Sequence, residues 1–371
     1  NLDTGSTTDD TNLTINVLAN DTDVDSSDTL SVVEVSVTAG LGSASVVNNQ
    51  VVYDPSAYLN MVQGETAQVI LTYTMSDTGA ANNNVLDPGN ADLTSNVVIT
   101  VTGTNDAPVA NVDTASATEN GASITIDVLA NDGDIDHDDN ASSLTVISAT
   151  ASSGATITGL NVAGGSLNYD PDSTSDFENL AAGETATDTI TYTIEDSHGA
   201  TSTSSVSVTI TGTNDGPVAV ADTAGGAENA TLTIDVLAND TDVDGSDDAS
   251  NFSLDSVSVG SGEGSVSIVN GELVFNPGSD FDDLDAGDTQ DVTVSYTMSD
   301  DSGIASSSTV TVTVTGTNDG PVAVADTAAG TENATLTIGV LANDTDVDGS
   351  DDAANFSLDS VSVGSGEGSV S

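Results

Sequence analysis

Acidic side chains recur at fixed positions of one loop in this chain of 371 residues. The loop follows the segment Val-Leu-Ala-Asn and has the pattern Asp-x-Asp-x-Asp. Three carboxylates on one turn repel one another unless a cation lies between them, and hard oxygen ligands of this kind suit Ca²⁺. The pattern therefore predicts a calcium site in each of four loops. Its members are Asp21, Asp23, Asp25, Asp132, Asp134, Asp136, Asp240, Asp242, Asp244, Asp344, Asp346 and Asp348.

Two more acidic positions recur in register with this loop. One lies near the start of each copy, at Asp9, Glu119, Glu228 and Glu332. The other follows a segment that contains a tyrosine, at Asp77, Asp196 and Asp300. A single Asp of this kind fits an ordinary turn, but the chain has no lysine or arginine to neutralise the recurring set. We therefore predict metal binding. An evenly acidic, salt-adapted surface would not concentrate Asp at fixed loop positions.

A proline-containing segment, Thr-Gly-Thr-Asn-Asp-x-Pro-Val-Ala, occurs three times. Proline cannot donate to a sheet ladder, and it holds the preceding residue in extended geometry. The segment therefore predicts a short, straight exit from one β-domain into the next. Its amide and carboxylate pairs add oxygen ligands at each junction, at Asn105, Asp106, Asn214, Asp215, Asn318 and Asp319.

The spacing of the repeated motifs is the length of a domain, since Val-Leu-Ala-Asn-Asp begins at Val17, Val128, Val236 and Val340. We predict immunoglobulin-like repeats at 1–104, 105–213 and 214–317, called repeats 1, 2 and 3. Residues 318–371, called repeat 4, match the first half of repeat 3 with only four differences. Half a sandwich leaves an apolar face open. We therefore expect repeat 4 to be an excerpt, or to be completed by chain outside this sequence.

Alternating polar and apolar residues predict strands throughout each repeat. In repeat 3 the predicted strands are 217–221, 230–237, 252–259, 265–269, 272–275, 290–298 and 307–314. Asn270 and Gly271 predict a type I′ hairpin turn. About seven short strands, frequent turn signals and no helical period indicate an all-β chain of tandem immunoglobulin-like sandwiches arranged end to end.

The composition excludes several classes of partner. The net charge is −60 with no lysine, no arginine and no cysteine, so ordinary nucleic-acid binding and attraction to anionic membranes are excluded. No apolar run approaches the length of about 18 residues that spans a bilayer. The two histidines, His137 and His198, occupy non-matching positions, so we predict no zinc site and no catalytic site. Tyr73, Tyr192 and Tyr296 recur in register and are predicted to pack in the cores.

The linker Thr104–Pro108, Thr-Asn-Asp-Ala-Pro, resembles the interdomain calcium motif of cadherins. Together with Val-Leu-Ala-Asn-Asp-x-Asp, it is similar to the cadherin-like or VCBS-type tandem repeats of large bacterial RTX adhesins. This resemblance implies a cell-surface extender that is exported by type I secretion. It also implies Ca²⁺ at the junctions between neighbouring repeats and a role in adhesion and biofilm formation. A matrix filament subunit and an adhesive module for glycans or another cell remain alternatives.

The resemblance also implies a ligand set for each junction. The first joins Asp9, Asp77, Asn105 and Asp106 with Asp132, Asp134 or Asp136. The second joins Glu119, Asp196, Asn214 and Asp215 with Asp240, Asp242 and Asp244. The third joins Glu228, Asp300, Asn318 and Asp319 with Asp344, Asp346 and Asp348. Gly103, Gly212 and Gly316 stand near the place where cadherins carry another acidic residue. Fewer ligands per junction are therefore expected, and part of the acidic loop is left for a site within one repeat.

Overall fold

The computed structural model of the chain describes residues 1–22, 29–76, 93–158, 165–260, 263–365 and 369–371. The predicted ligands Asp23, Asp25 and Asp77 lie outside these residues. The chain divides into two compact units. The first unit comprises Asn1–Phe177 and Thr185–Gly212, and the second comprises Glu178–Glu184 and Thr213–Ser371.

The first unit begins with two sheets built from repeat 1. The strands are β1 (Asp3–Thr8), β2 (Leu13–Ile15), β3 (Ser31–Ala39), β4 (Ser43–Val47), β5 (Gln50–Asp54), β6 (Thr66–Ser76) and β7 (Leu93–Thr102). One sheet has the order β1-β7-β6-β3 and the other β2-β5-β4. The first strand pairs parallel with β7, and the other pairs are antiparallel.

The rest of the first unit repeats this topology with the strands of repeat 2. These are β8 (Asp113–Thr118), β9 (Ile124–Ile126), β10 (Thr145–Ala151), β11 (Thr156–Thr158), β12 (Leu167–Asp170), β13 (Thr185–Glu195) and β14 (Thr201–Thr211). The sheets have the orders β10-β13-β14-β8 and β11-β12-β9. A parallel first strand again pairs with the last one.

The second unit contains the same seven-stranded arrangement in repeat 3. Its strands are β15 (Asp222–Ala227), β16 (Leu232–Ile234), β17 (Ser253–Val259), β18 (Ser265–Val269), β19 (Glu272–Asn276), β20 (Thr289–Ser299) and β21 (Ala305–Thr315). The sheets have the orders β15-β21-β20-β17 and β16-β19-β18. The prediction of an all-β chain of tandem sandwiches is confirmed.

The core of each sandwich follows from the alternation of the strands. Val310, Val312 and Val314 of β21 are buried, whereas Thr311 and Thr313 between them are only half-buried. Burying an aliphatic side chain of this kind contributes about 1.5–3 kcal/mol. The strands therefore form because one face of each is apolar and covered by the opposite sheet. Tyr296 of β20 packs in the same core, as its recurrence predicts.

The predicted hairpin turn of repeat 3 is present, but the first predicted strand of that repeat is not. The hairpin residues Asn270 and Gly271 have φ angles of 54° and 87°, which a type I′ turn requires. The strand predicted at 217–221 is wrong, because there Val218 makes only an isolated bridge to Thr241. The first strand of repeat 3 is instead β15. Its position depends on parallel pairing with β21 rather than on apolar alternation.

Repeat 4 differs from the other repeats. Within its described residues, 318–365 and 369–371, no strand forms. Leu336, Ile338 and Leu358 are about half exposed, as expected for half of a sandwich. The bridge between Val322 and Thr345 corresponds to the bridge between Val218 and Thr241 in repeat 3. In the part of the chain that the structure describes, no helix has the length and apolar character needed to cross a membrane.

Candidate metal centres

Three segments meet at one end of repeat 2. The linker is tied to the Asp-x-Asp-x-Asp loop because Val109 N donates to Gly133 O at 2.7 Å. It is tied to the turn between β13 and β14 because Asn105 Nδ2 donates to Asp196 Oδ2 at 3.0 Å. This end of the sandwich therefore collects side-chain oxygens from parts of the sequence that are far apart.

Asp134, Asp139 and Asp196 form the repeat 2 acidic cluster, in which one ligand atom of each lies within 4.8 Å of the others. The side chains of Asp139 and Asp196 are buried. Asp196 Oδ1 accepts from Ala200 N at 2.9 Å, and Asp134 Oδ1 accepts from Asp136 N at 3.0 Å. Among the described residues, the second carboxylate oxygens of Asp134 and Asp139 and the amide oxygen of Asn105 have no hydrogen-bond partner. The backbone thus aims oxygens at a common point and leaves them unsatisfied.

Asp242, Asp247 and Asp300 form the equivalent repeat 3 acidic cluster in the second unit. Asp300 Oδ1 accepts from Ile304 N at 2.9 Å, and its Oδ2 accepts from Asn214 Nδ2 at 2.8 Å. Asp242 Oδ1 accepts from Asp244 N at 3.0 Å. The same contacts recur in two repeats whose other loop residues differ, which indicates that the acidic constellation itself is the constant feature.

Burial and like charge oppose ionisation in these clusters. Burial, then the carboxylates of Asp139 and Asp196, raise the pKa of Asp134. Burial, then Asp247 and Asp300, raise the pKa of Asp242 in the same way. A cation between the carboxylates would remove both penalties, because it supplies opposite charge and replaces lost hydration.

A second kind of acidic site lies at the junction of repeats 1 and 2, within the first unit. Asp9 is fully buried, and its Oδ1 accepts from Thr104 N at 3.0 Å and Thr104 Oγ1 at 2.7 Å. Asp106 N donates to Asp136 Oδ2 at 3.0 Å. Within the described chain, Asp9 Oδ2, Asp106 Oδ2 and Asp136 Oδ1 lack a hydrogen-bond partner. Burial, then the charges of Asp9 and Asp134, raise the pKa of Asp106. We call this group the first junction.

The junction of repeats 3 and 4, within the second unit, has the same design. Glu228 Oε1 accepts from both Thr317 N and Thr317 Oγ1 at 2.7 Å. Asp319 N donates to Asp348 Oδ2 at 3.0 Å, and Asp348 N donates to Asp346 Oδ1 at 3.1 Å. Burial, then Glu228 and Asp348, raise the pKa of Asp319. An acid from one repeat thus meets the linker and the acidic loop of the next.

The glycines before the first and third linkers pack closely against the preceding repeat. An added Cβ at Gly103 would lie 2.3 Å from Val62 O, and one at Gly316 would lie 2.4 Å from Asp285 O. Real Cβ atoms do not approach so closely. The missing acidic residue noted in the sequence therefore has a steric cause.

The structure corrects the predicted grouping of the late acids. Asp196 is predicted with Glu119 at the second junction, but it lies beside Asn105 and Asp134 at the opposite end of repeat 2. The reason is the length of the β13–β14 hairpin. Asp196 lies in its turn, ten residue pairs along the hairpin from Thr211, which precedes the second linker. Asp300 likewise lies with Asn214 rather than with Asn318. Each late acid belongs with the linker that precedes its own repeat.

The first Asp of the Asp-x-Asp-x-Asp loop has another role. Asp132 Oδ1 accepts from Asn111 N at 2.7 Å, and its Oδ2 faces the Tyr192 hydroxyl at 3.4 Å. Asp240 makes the corresponding contacts with Val220 N and Tyr296, and Asp21 contacts Tyr73. Asp344 accepts from Val324 N. Asp132 and Asp240 thus join the linker to the core. Among the described residues, neither belongs to the acidic cluster of its repeat.

The remaining predicted ligands lie as follows. Glu119 N donates to Thr211 O at 3.2 Å, as Glu228 N does to Thr315 O at 3.0 Å. Asp215 N donates to Asp244 Oδ2 at 2.9 Å. Asn318 Nδ2 donates to Asp319 O, and the exposed Glu332 accepts from Asn333 Nδ2. Glu119 belongs to the first compact unit, and Asp215 and Asp244 to the second.

Sequence reasoning missed Asp139 and Asp247. Both follow the acidic loop, and a carboxylate recurs at this position in all four copies, as Asp28, Asp139, Asp247 and Asp351. The same in-register recurrence that identified the other ligands was therefore available for this one.

Comparison with known proteins places the chain among bacterial surface repeats. The family description "Bacterial cadherin-like domain" matches residues 105–212 and 214–316. The description "Bacterial Ig domain" matches residues 1–87 and 318–371. Among curated proteins, no sequence matches the chain.

Solved structures similar to the chain are cadherin ectodomains. Extracellular repeats 22 to 24 of mouse cadherin-23 are 14% identical with a TM-score of 0.44, over 78% of this chain and 86% of that one. Repeats 1 to 4 of Drosophila N-cadherin are 16% identical with a TM-score of 0.35, over 85% and 74%. Repeats 3 to 6 of protocadherin gamma B7 are 14% identical with a TM-score of 0.46, over 88% and 75%.

Proposed function

The chain belongs to the family of bacterial cadherin-like domains, and from this premise we propose that it is a calcium-rigidified extender segment of a long cell-surface adhesin. Proteins of this class are extracellular repeat proteins of the adhesion type, and such domains are typically not enzymes. In this proposal the repeats project a distal binding region away from the cell, in surface adhesion and biofilm formation. Neighbouring repeats of the same chain are the principal partners.

One observation carries the proposal: buried carboxylate oxygens lack hydrogen-bond donors in both the repeat 2 acidic cluster and the first junction. Within the described residues, Asp139 Oδ2, Asp136 Oδ1 and Asp9 Oδ2 have no such partner, and all three side chains are more than nine-tenths buried. An ionised carboxylate in this state is costly. The donor set is entirely oxygen, which fits Ca²⁺ and its requirement for six to eight such ligands.

The sites act on the fold in two ways. In repeats 2 and 3, a cation held by the acidic cluster would tie the linker, the acidic loop and the β13–β14 or β20–β21 turn into one body. At the first and third junctions, it would couple an acid of one repeat to the loop of the next. Ca²⁺ supplies the opposite charge, since the chain has no lysine or arginine to do so. Coupling of this kind stiffens a rod of repeats.

The energetic scale is sufficient to control folding. A ligand that binds only the folded state stabilises it by about 2.7 kcal/mol per site at a hundredfold excess over Kd. Extracellular modules bind Ca²⁺ at about 10⁻⁴ to 10⁻³ M, which exceeds cytosolic calcium. The chain would therefore be less stable before export and gain stability outside the cell.

Aromatic side chains favour a spacer over a glycan-binding module. A sugar-binding loop needs exposed aromatic rings, but ten of the eleven Tyr and Phe side chains are buried. The eleventh, Phe356, is half-buried. This distribution leaves the adhesive role to another part of the protein. The matrix filament subunit stays an alternative, and the molecular mass from scattering distinguishes it.

The test is small-angle scattering together with thermal unfolding, first in EDTA and then in millimolar Ca²⁺. We expect Ca²⁺ to raise the unfolding temperature and to narrow the distribution of molecular dimensions. The variant Asp134→Asn should reduce the gain in stability. Its control is Asp172→Asn, which removes the same charge from an exposed turn. Equal responses of the two variants, or no response of the parent chain to Ca²⁺, would refute the proposal.

A further inference from the structure

Repeat 2 carries a histidine beside its acidic cluster. His198 lies in the turn between β13 and β14, and a ring nitrogen lies within 4.8 Å of carboxylate oxygens of Asp138 and Asp139. Its Nδ1 is 3.7 Å from Asp139 Oδ2. Ser197 Oγ lies 3.0 Å from the same nitrogen, and this contact must be given up when Nδ1 binds an ion. The three potential ligands therefore come from two segments that the sequence separates by about sixty residues.

The spacing of His198 Nδ1 and Asp139 Oδ2 suits an ion pair or a bound ion rather than a direct hydrogen bond. A separation of 3.7 Å is too long for a hydrogen bond. A tetrahedral ion with ligand bonds of about 2.1 Å holds two ligand atoms about 3.4 Å apart. Asp139 Oδ1 is fixed by Ser143 Oγ at 3.1 Å and Ser197 N at 3.3 Å. Within the described residues, its buried Oδ2 has no hydrogen-bond partner and faces the imidazole.

Against the sequence-based prediction of no zinc site, we propose that Asp138, Asp139 and His198 form a site for a borderline transition-metal ion such as Zn²⁺. Imidazole suits Zn²⁺, Cu²⁺ and Ni²⁺, whereas Ca²⁺ takes oxygen ligands. This site differs from the acidic cluster of Asp134, Asp139 and Asp196 because it includes an imidazole nitrogen. Asp139 belongs to both groups. Three protein ligands leave one tetrahedral position for water or a group from another molecule.

The other repeats provide an internal comparison. Ser246 and Ser302 of repeat 3 stand where repeat 2 has Asp138 and His198, while Asp247 is retained beside Asp242 and Asp300. Repeat 3 thus keeps the carboxylates of the acidic cluster and lacks the imidazole. Repeat 2 therefore has Asp138 and His198 in addition to the acidic cluster that both repeats share.

The first experiment measures Zn²⁺ binding to the full chain by competition with a chromophoric chelator, in saturating Ca²⁺ and again without Ca²⁺. We expect one site per chain that is tighter than the nonspecific sites on this acidic surface. His198→Ser should weaken it by at least about tenfold. His137→Ser, which removes the only other histidine, should not. Unchanged Zn²⁺ binding in His198→Ser, or only weak binding that neither variant alters, would overturn the proposal.

A second experiment moves the site. The double variant Ser246→Asp and Ser302→His places the same ligands in repeat 3, so the number of tight Zn²⁺ sites should rise from one to two. A stoichiometry that stays at one would contradict the assignment. In the parent chain, the imidazole resonances of His198 should shift on addition of Zn²⁺ while those of His137 stay in place. Because both readouts use Zn²⁺ without depending on Ca²⁺, they remain decisive if the calcium proposal fails.

Discussion

Replacing Asp188 by valine tests whether a buried carboxylate stabilises the core of repeat 2. Asp188 is only 1% exposed, and it stands on β13 where Val69 and Val292 stand in repeats 1 and 3. It accepts hydrogen bonds from Ser152 Oγ at 2.6 Å, Ser153 N at 3.1 Å and the Tyr169 hydroxyl at 2.8 Å. In repeat 3, Phe275 stands where Tyr169 stands and lies in the same core as Val292, and it has no hydroxyl to satisfy.

The magnitude follows from what the substitution leaves behind. The Tyr169 hydroxyl is buried, and an unsatisfied buried donor costs about 1–3 kcal/mol. Ser152 lies at the surface, so its hydroxyl can turn to water at little cost. We therefore expect Asp188→Val to destabilise repeat 2 by about 2 kcal/mol, corresponding to about 30-fold faster amide exchange on β13. Adding Tyr169→Phe should recover about half of this loss, because it recreates the apolar pair of repeat 3.

Hydrogen exchange of the full chain at fixed calcium, with peptic peptides that cover β12 and β13, measures the effect in repeat 2 alone. The control is Asp291→Val, the same change at an exposed position of β20. On peptides that cover β19 and β20, it should shift exchange by no more than about 0.5 kcal/mol. Two results would refute the reasoning: exchange in Asp188→Val equal to the parent, or no recovery when Tyr169→Phe is added.

Two further predictions concern proton binding and packing. Burial and like charge raise the pKa of Asp134 and Asp242, so the folded state binds protons more tightly than the unfolded state. Without calcium, the stabilisation from these two carboxyl groups should be fully present below about pH 4, and it should be lost as the pH rises through their pKa in the folded state. Thermal unfolding in EDTA at pH 4 and at pH 7 measures this loss of stability. Gly316→Ala should destabilise repeat 3 by about 1–3 kcal/mol, because the added Cβ would meet Asp285 O. Denaturant unfolding measures this loss of stability. The control is Gly339→Ala, where the added Cβ would have open space.

The sequence predicted strands wherever apolar residues alternate with polar ones. The strand Ser265–Val269 begins and ends where the pattern does, since its partner is joined to it by a local turn. The strand Asp222–Ala227 was not predicted. Its sequence, Asp-Thr-Ala-Gly-Gly-Ala, carries no apolar alternation, and its position depends on a parallel partner, Val310 to Thr315, about ninety residues away. Pairing between distant segments is information that a local pattern does not contain.

The sequence could predict which residues are candidate ligands, but not which of them lie together in one site. Recurrence in register found Asp134, Asp196 and Asn105, because each position repeats in a chain without lysine or arginine. It could not tell which end of the β13–β14 hairpin carries Asp196, since that depends on strand length and direction. It also could not separate Asp132, which bonds to Asn111 N, from Asp134, which faces the cluster. Side chains two residues apart on a loop point to different surroundings.

The glycines before the linkers lead us to predict that the stronger calcium sites lie inside repeats rather than between them. No side chain fits at Gly103, because the linker packs against Val62 O. Among the described residues, the unsatisfied carboxylate oxygens of the first junction are those of Asp9, Asp106 and Asp136. The repeat 2 acidic cluster also has three carboxylates, with the amide oxygen of Asn105 in addition. More oxygen ligands with fixed directions give tighter Ca²⁺ binding. Asp196→Asn should therefore weaken the tightest calcium site in a calorimetric titration more than Asp9→Asn does. The opposite order would mean that the junction, despite its missing ligand, holds the ion more firmly than the cluster.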